Sequence, residues 1–289
     1  MSLPPSPSAS VMPGHPCFDE SAHDRVGRVH LPVAPACNIQ CVFCTRRVCA
    51  NLTMQHPGWA RRLLTPEEAL GLVRGLVRHR PGERFVVGVA GPGEPLANQG
   101  TFTALEAVHR EFPQLTCCVS TNGLLLEERL PELLAVGISA LTVTMNALEP
   151  RVGQRIYTWV RHEGRTYWGE EGAGLLIERQ LSGVEAALAA GLGVKVNTVL
   201  IPGANDGDLP RLARAVADRG VRLMNIMPLI PPDDMPGLRA PTCEELQRAR
   251  DDCETWLPQF RRCEQCSADV MAFPPVGAGC GTAISRPTG

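Results

Sequence analysis

The chain repeats one pattern six times: a short apolar run, a turn, then a helical segment. The apolar runs are "RVHLPVAP" (Arg28 to Pro35), "RFVVGVAG" (Arg84 to Gly91), "LTCCVSTNG" (Leu115 to Gly123), "ALTVTMNA" (Ala140 to Ala147), "GVKVNTVLIPG" (Gly193 to Gly203) and "VRLMNIMPLI" (Val221 to Ile230). Their near-continuous apolar character predicts strands of a parallel sheet, covered on both faces. The intervening segments read as helices. In "LTPEEALGLVRGLVRH", Thr65 is an N-cap, Pro66 stands at N1 and Glu68 completes a capping box. Further helices are expected from Phe102 to Glu111, Leu126 to Gly137, Leu176 to Gly191 and Asp208 to Gly220, with a last one from Cys243 to Phe260. Strands alternating with helices give an α/β fold. Six units can close into a partial barrel or open into a doubly wound sheet, and periodicity does not choose between them. Polar and special residues recur where the apolar runs end: the loop after Cys37, Gly91-Pro92-Gly93-Glu94, Ser120-Thr121-Asn122, Asn146, Asn197 and Met227. In barrels and open sheets alike, that edge carries the site.

With 289 residues, 44% of them hydrophobic, the chain can bury a sizeable core. A net charge of −2 leaves no electrostatic footprint for nucleic acid. No run of 18 apolar residues suggests a membrane span. The opening "MSLPPSPSASVMPGHP" lacks the basic and apolar regions of a secretory signal. These features predict a disordered tail over 1–14, a core over 15–230, a C-terminal extension over 231–272 carrying a C-x2-C pair, and a flexible tail over 273–289. They point to the cytoplasm, where thiols stay reduced. The 12 cysteines then call for an explanation other than disulfides. Cys117, Cys243, Cys253 and Cys280 have no ligand-like spacing and read as small hydrophobes.

The stretch "CNIQCVFCTRRVC" does have such spacing. Zinc is one reading, because Cys41/Cys44 and Cys263/Cys266 are two C-x2-C pairs, although most of the chain separates them. A 4Fe-4S cube is the other. It takes one ligand per iron, so three thiolates leave one iron open. An open iron can chelate the amine and carboxylate of S-adenosyl-L-methionine (SAM), and an electron from the cube then cleaves it to a 5′-deoxyadenosyl radical. Cys37, Cys41 and Cys44, with Phe43 before the last, resemble the C-x3-C-x2-C signature of radical SAM enzymes. "GPGEP" (Gly91, Gly93 and Glu94) resembles their Gly-Gly-Glu element, with Glu94 placed to accept from the SAM amine. Ser120, Asn122, Asn146, Asn197 and Met227 are candidate SAM contacts, while Ser and Asn also cap loops without any ligand.

The resemblance narrows over the whole chain. "HPCFDESAHDRVGRVHLPVAPACNIQC", "VVGVAGPGEPLAN", "CVSTNGLLL", "LTVTMNALEP", "IYTWV", "LIERQLSGVEA", "VKVNTVLIPGAND", "NIMPLI" and "CEQCSADV" run in order from about Gly14 to Val270. They resemble the NifB family, whose members build the iron–sulfur–carbide core of the nitrogenase cofactor in nitrogen fixation. The resemblance implies a partial TIM barrel with N- and C-terminal cluster-binding extensions and three 4Fe-4S clusters. One cluster binds SAM. The other two are substrates, fused with a SAM-derived carbide and an added sulfide into an eight-iron product. It implies methyl transfer followed by hydrogen abstraction, chemistry of the transferase and lyase type. By position, Cys37, Cys41 and Cys44 match the SAM-cluster ligands. His23, Cys49 and Cys118 match those of one substrate cluster, and Cys17, Cys263 and Cys266 those of the other. Taken singly, His23 would be a surface histidine, Cys118 a core residue and Cys17 a tail thiol; the ordered set overturns those readings. The implied partners are an iron–sulfur cluster donor protein, a downstream cofactor carrier, the nitrogenase assembly scaffold and an electron donor such as ferredoxin or flavodoxin.

Departures from the family pattern stand out. Cys49 lies one residue closer to Cys44 than the family spacing. Leu52 stands where a glutamate is expected, the following "TMQHPG" is longer, and Ser267 replaces a usual arginine. No carrier-type domain is expected after Gly289. These departures keep two alternatives open: a radical SAM enzyme whose auxiliary clusters serve an organic or peptide substrate, and a non-catalytic cluster scaffold.

Overall fold

The computed structural model describes residues 11–53, 55–231 and 237–274. The elements run β1 (Gly27–His30), β2 (Ile39–Cys41), α1 (Pro66–His79), β3 (Phe85–Val89), α2 (Gln99–Glu111), β4 (Thr116–Thr121), α3 (Leu126–Ala135), β5 (Ile138–Thr144), α4 (Pro150–Gly153), β6 (Tyr157–His162), β7 (Arg165–Tyr167), α5 (Gly169–Ala189), β8 (Gly193–Leu200), α6 (Leu209–Asp218), β9 (Met224–Pro228), α7 (Cys243–Glu254) and β10 (Met271–Ala272).

Six strands are parallel and lie in the order β1-β3-β4-β5-β8-β9. Spatial order follows chain order without reversal, so the sheet has no switch point. Each strand-helix unit therefore adds beside the last, and the sheet curls into a partial barrel rather than an open doubly wound sheet. Alternation along each strand separates two environments. Val29, Val87, Cys117, Val119, Leu141, Val143, Val194, Val196 and Ile226 pack into the core shared with the helices. Arg28, His30, Cys118, Ser120, Thr142, Lys195 and Asn197 face the other way, into the concave cavity.

Some boundaries differ from the sequence reading. The first strand ends at His30, because Pro32 and Pro35 have no N–H to pair. The last helix stops at Glu254 instead of Phe260. Pro258 ends helical continuation, and Phe260 N donates instead to Met224 O (2.7 Å). The capping box forms: Thr65 Oγ1 accepts from Glu68 N while Glu68 accepts from Thr65 N. The sequence reading lacked the small antiparallel sheet β2-β6-β7, which clamps the cysteine loop.

The two termini close the half-barrel. Gln259 bridges to Met224 at one edge strand, and Ala272 pairs antiparallel with Arg28 at the other. The segment between them crosses the open side and carries Cys263 and Cys266. Residues 11–26 form successive turns beneath it. Of the expected tails, 1–10 and 275–289 lie outside the described residues, as does Cys280. Val11 and Met12 pack with Phe18 and Phe260, and Phe273 packs edge-on against Phe85. No described helix is long and apolar enough to cross a membrane.

Candidate functional site

One cavity gathers eight of the nine candidate ligands: Cys17, His23, Cys37, Cys41, Cys44, Cys118, Cys263 and Cys266. Cys49 is not among its lining residues.

The cysteine loop is held from three sides. β2 pairs with β6, so Cys41 lies opposite Tyr157. The Gln40 side chain donates to Cys41 O (2.8 Å) and Cys44 O (2.9 Å). Arg46 donates to Ile39 O (3.2 Å) and to the Gln40 carbonyl. Burial pushes the Cys37 thiol up to about 11 and raises Cys41 and Cys44 as well. The three thiols lie close enough that their charges oppose one another's ionisation, and the Arg46 charge acts the other way. Three half-buried cysteines whose thiols resist ionisation, with one nearby guanidinium, form a donor set that added positive charge would favour. Among the described residues, no three His, Cys, Asp or Glu side chains converge on a single ion. A cube would take each thiolate on its own iron, so the three sulfurs need not converge on one ion. The trio fits a 4Fe-4S cluster.

The "GPGEP" loop packs backbone against backbone on the approach to this trio. Gly93 N donates to Ala34 O (2.6 Å) and Glu94 N to Ala36 O (2.8 Å). A Cβ on Gly93 would lie 2.2 Å from Ala36 O, so glycine is required there. Glu94 lines the cavity, but most of its acceptor capacity is spent internally. Oε1 accepts from Leu96 N (2.9 Å) and the Thr121 hydroxyl (2.5 Å), and Oε2 from Asn122 N (2.7 Å). Burial raises its carboxyl to about 7 against these three hydrogen bonds. One acceptor position on Oε2 remains for a ligand donor.

The other candidate SAM contacts divide. Phe43, Gly93, Ser120, Asn122, Asn197 and Met227 line the cavity; Gly91 and Asn146 do not. Gly91 serves the turn, at φ +137. Asn146 is buried, its Oδ1 accepting from Val199 N (2.9 Å) while its backbone N donates to the Tyr157 hydroxyl (3.0 Å). It thereby props the tyrosine opposite Cys41.

The remaining candidates come from the termini and β4. Cys117 and Cys118 are neighbours with opposite fates: Cys117 packs into the helix-side core and Cys118 faces the cavity. Gly88 makes room for it, since a Cβ there would lie 2.9 Å from Cys118 Sγ. Cys17, Cys263 and Cys266 lie close enough for their charges to interact. Burial nevertheless dominates, pushing Cys266 up to about 12. Cys263 Sγ lies 3.8 Å from Met227 Sδ. His23 Nδ1 meets Pro16 O at 2.9 Å, which leaves the lone pair on Nε2. The Arg28 guanidinium holds that lone pair at 3.0 Å and also bonds Glu264 (2.7 Å). A cation thus stands where a metal would bind.

Cys49 is exposed. A short ladder, Cys49 N to Ala60 O (3.0 Å) and Ala60 N to Arg47 O (2.9 Å), holds its segment on the outside of the loop. Half-buried Leu52 follows it, whereas His56 farther along the longer loop does line the cavity. Ser267, in place of the usual arginine, donates to Asp269 (2.7 Å), and its carbonyl lies 3.0 Å from His30 Nδ1.

The sequence reading missed several cavity residues: His15, Arg28, His30, Arg46 and Lys195. Strand parity was the available signal for three of them. Arg28 and His30 alternate with apolar Val29, and Lys195 shares parity with Asn197.

Comparisons with known proteins agree with this geometry. The sequence pattern of the Radical SAM superfamily matches residues 31–216. The FeMo cofactor biosynthesis protein NifB of Methanocaldococcus infernus is 43% identical over 263 residues, which is 91% of this chain and 86% of that protein. The protein of the same description from Klebsiella pneumoniae is 43% identical over 267 residues, 90% of this chain and 56% of that one. Among solved structures, a radical SAM methyltransferase from Sphaerobacter thermophilus matches with a TM-score of 0.54 at 22% identity, over 81% of this chain and 64% of that one. Streptococcus suis SuiB matches with a TM-score of 0.58 at 12% identity, over 82% and 49%. At those identities the structural likeness is one of fold. The sequence likeness goes further: the chain belongs to the radical SAM superfamily and, within it, to the NifB family.

Proposed function

We propose that this chain makes the eight-iron precursor of the nitrogenase cofactor. It would join two 4Fe-4S substrate clusters around a carbide taken from a SAM methyl group and add a sulfide. The observation that carries the reading is one cavity lined by Cys37, Cys41 and Cys44, by Cys17, Cys263 and Cys266, and by His23 and Cys118. Cys37, Cys41 and Cys44 would hold the resident cluster, which when bound supplies the electron that cleaves SAM. Cys17, Cys263 and Cys266 would bind one substrate cluster. His23 and Cys118 would bind the other, with Cys49 swinging in from the outer face of its loop. Gly93, Glu94, Ser120, Asn122 and Asn197 would orient SAM from the strand ends.

The chain's own residues have clear tasks in this reading. Arg28 must release Nε2 of His23 as that nitrogen takes iron, and Glu264 stays beside it to receive the guanidinium. A histidine holds a substrate cluster less firmly than a thiolate would, which suits a cluster that has to leave. The terminal segments cover the cavity and keep water from reactive carbon. The reading places the chain in the cytoplasm, between an iron–sulfur cluster donor and a cofactor carrier or assembly scaffold, with ferredoxin or flavodoxin supplying electrons.

Anaerobic reconstitution with iron counting tests this. Three clusters amount to about twelve irons per chain, and product iron should pass to an apo-nitrogenase assembly system and restore activity. About four irons per chain, with undiminished SAM cleavage, would overturn it.

A further inference from the structure

Lys195 is the chain's only lysine and is 2% exposed. It stands on β8 between core residues Val194 and Val196 and points into the cavity. Its Nζ donates to Cys17 O (2.7 Å) and lies over the rings of Phe18 (5.1 Å) and Phe260 (4.8 Å). Among the described residues it has no carboxylate partner within ion-pair distance. Burying an unpaired cation is costly, and one carbonyl with two ring faces offsets only part of that cost. An anion entering the cavity would supply the rest.

A second group points the same way. His15 is 3% exposed and its Nδ1 accepts from Cys17 N (3.1 Å), while Nε2 is buried without a hydrogen-bond partner. Two buried nitrogens therefore face one space: Nε2 of His15 has no partner, and Nζ of Lys195 has only the Cys17 carbonyl. The charge of Lys195 acts on both Cys17 and Cys118, which belong to the two different substrate-ligand sets.

The chemistry of the cargo supplies the missing anion. A 4Fe-4S core is dicationic, so the three thiolates of Cys17, Cys263 and Cys266 would make their cluster negative overall, whereas His23 with two thiolates would leave the other near neutral. We propose that Lys195 is a positioning residue that holds the anionic substrate cluster of the Cys17, Cys263 and Cys266 set in the cavity, offsetting its charge and donating from Nζ to cluster sulfide. This rests on the proposed function above.

The test compares wild type, Lys195→Met and Lys195→Arg, each reconstituted anaerobically in the full chain. Wild type should hold about twelve irons. Lys195→Met should keep the SAM cluster and lose half or more of the remaining iron. The substrate clusters it retains should have midpoint potentials shifted negative, because reduction adds charge no longer offset by the lysine. Lys195→Arg should restore both loading and potential. Loading and potentials unchanged in Lys195→Met would overturn the inference. Equal loss in both variants, or loss of the SAM cluster with the rest, would assign the residue to packing and overturn it too. If wild type holds only about four irons, the functional reading falls first and this inference with it.

Discussion

Gly88→Ala tests how tightly the fold aims Cys118. Gly88 sits in β3 beside Cys118 of β4 and beside His30 of β1. A Cβ at this position would lie 2.9 Å from Cys118 Sγ and 3.3 Å from His30 Cδ2. The first contact cannot persist; the second needs a few tenths of an ångström. Replacing glycine in a strand gains about 0.4–1 kcal/mol by restricting the unfolded chain. Overpacking a well-filled site costs about 1–3 kcal/mol. The difference lies between about zero and a net loss of about 2.6 kcal/mol, unless the thiol swings to another rotamer. In that event the energetic cost is smaller, but Cys118 no longer faces the cavity.

Cys118→Ala separates these terms. In that background the new methyl meets no sulfur, so Gly88→Ala should become neutral or stabilising. The double-mutant cycle, followed by urea unfolding of reduced, cluster-free protein, should give a coupling of about 1–3 kcal/mol. Iron loading supplies the second readout: Gly88→Ala should lose cluster iron as Cys118→Ala does, because both remove the same donor. Additivity within about 0.5 kcal/mol, with full iron loading of Gly88→Ala, would refute the reasoning.

The strands themselves were legible because six near-continuous apolar runs stand out, although their concave face also carries Arg28, His30, Lys195 and Asn197. Their spatial order was not, since local periodicity carries no information on which strand lies beside which. The terminal strap was hidden for the same reason: Ala272 pairs with Arg28 from the far end of the chain, and Gln259 bridges to Met224 beyond the intervening α7. The β6–β7 hairpin did leave a signal. Its turn residues Glu163 (φ 49) and Gly164 (φ 74) are both left-handed, and "EG" between alternating residues suits a two-residue turn. Ligand candidates followed from spacing and family order, yet only strand parity explains why Cys118 faces the site and Cys117 does not. Glu94 shows the limit of motif reading. The motif marked a ligand contact, whereas three hydrogen bonds show that the carboxylate also ties β4 to the loop.

The remaining predictions follow from that division between aimed and merely nearby groups. Gly93→Ala should be more damaging than Gly88→Ala, at or above about 3 kcal/mol, because its Cβ would meet the Ala36 backbone rather than a movable side chain; loss of soluble protein or of the SAM cluster's visible absorption checks this. Glu94→Gln should cost about 1–3 kcal/mol in urea unfolding, since an amide N–H replaces an acceptor and leaves a buried donor facing a donor. Leu52→Glu should change substrate-cluster retention and product transfer more than SAM cleavage; equal retention in both proteins would make the substitution inconsequential. Cys49 is the sharpest case, because the family pattern makes it a ligand and the structure leaves it exposed outside the cavity. In reduced, cluster-free protein, iodoacetamide should modify Cys49 and exposed Cys243 before buried Cys117 and Cys253, as read by mass spectrometry of peptides. Cluster loading should then protect Cys49 alone of the exposed pair, since a thiolate bound to iron cannot be alkylated while Cys243 is untouched by loading. Unchanged Cys49 reactivity in fully loaded protein would show that the loop never brings it in, and that His23 and Cys118 hold the second substrate cluster without it.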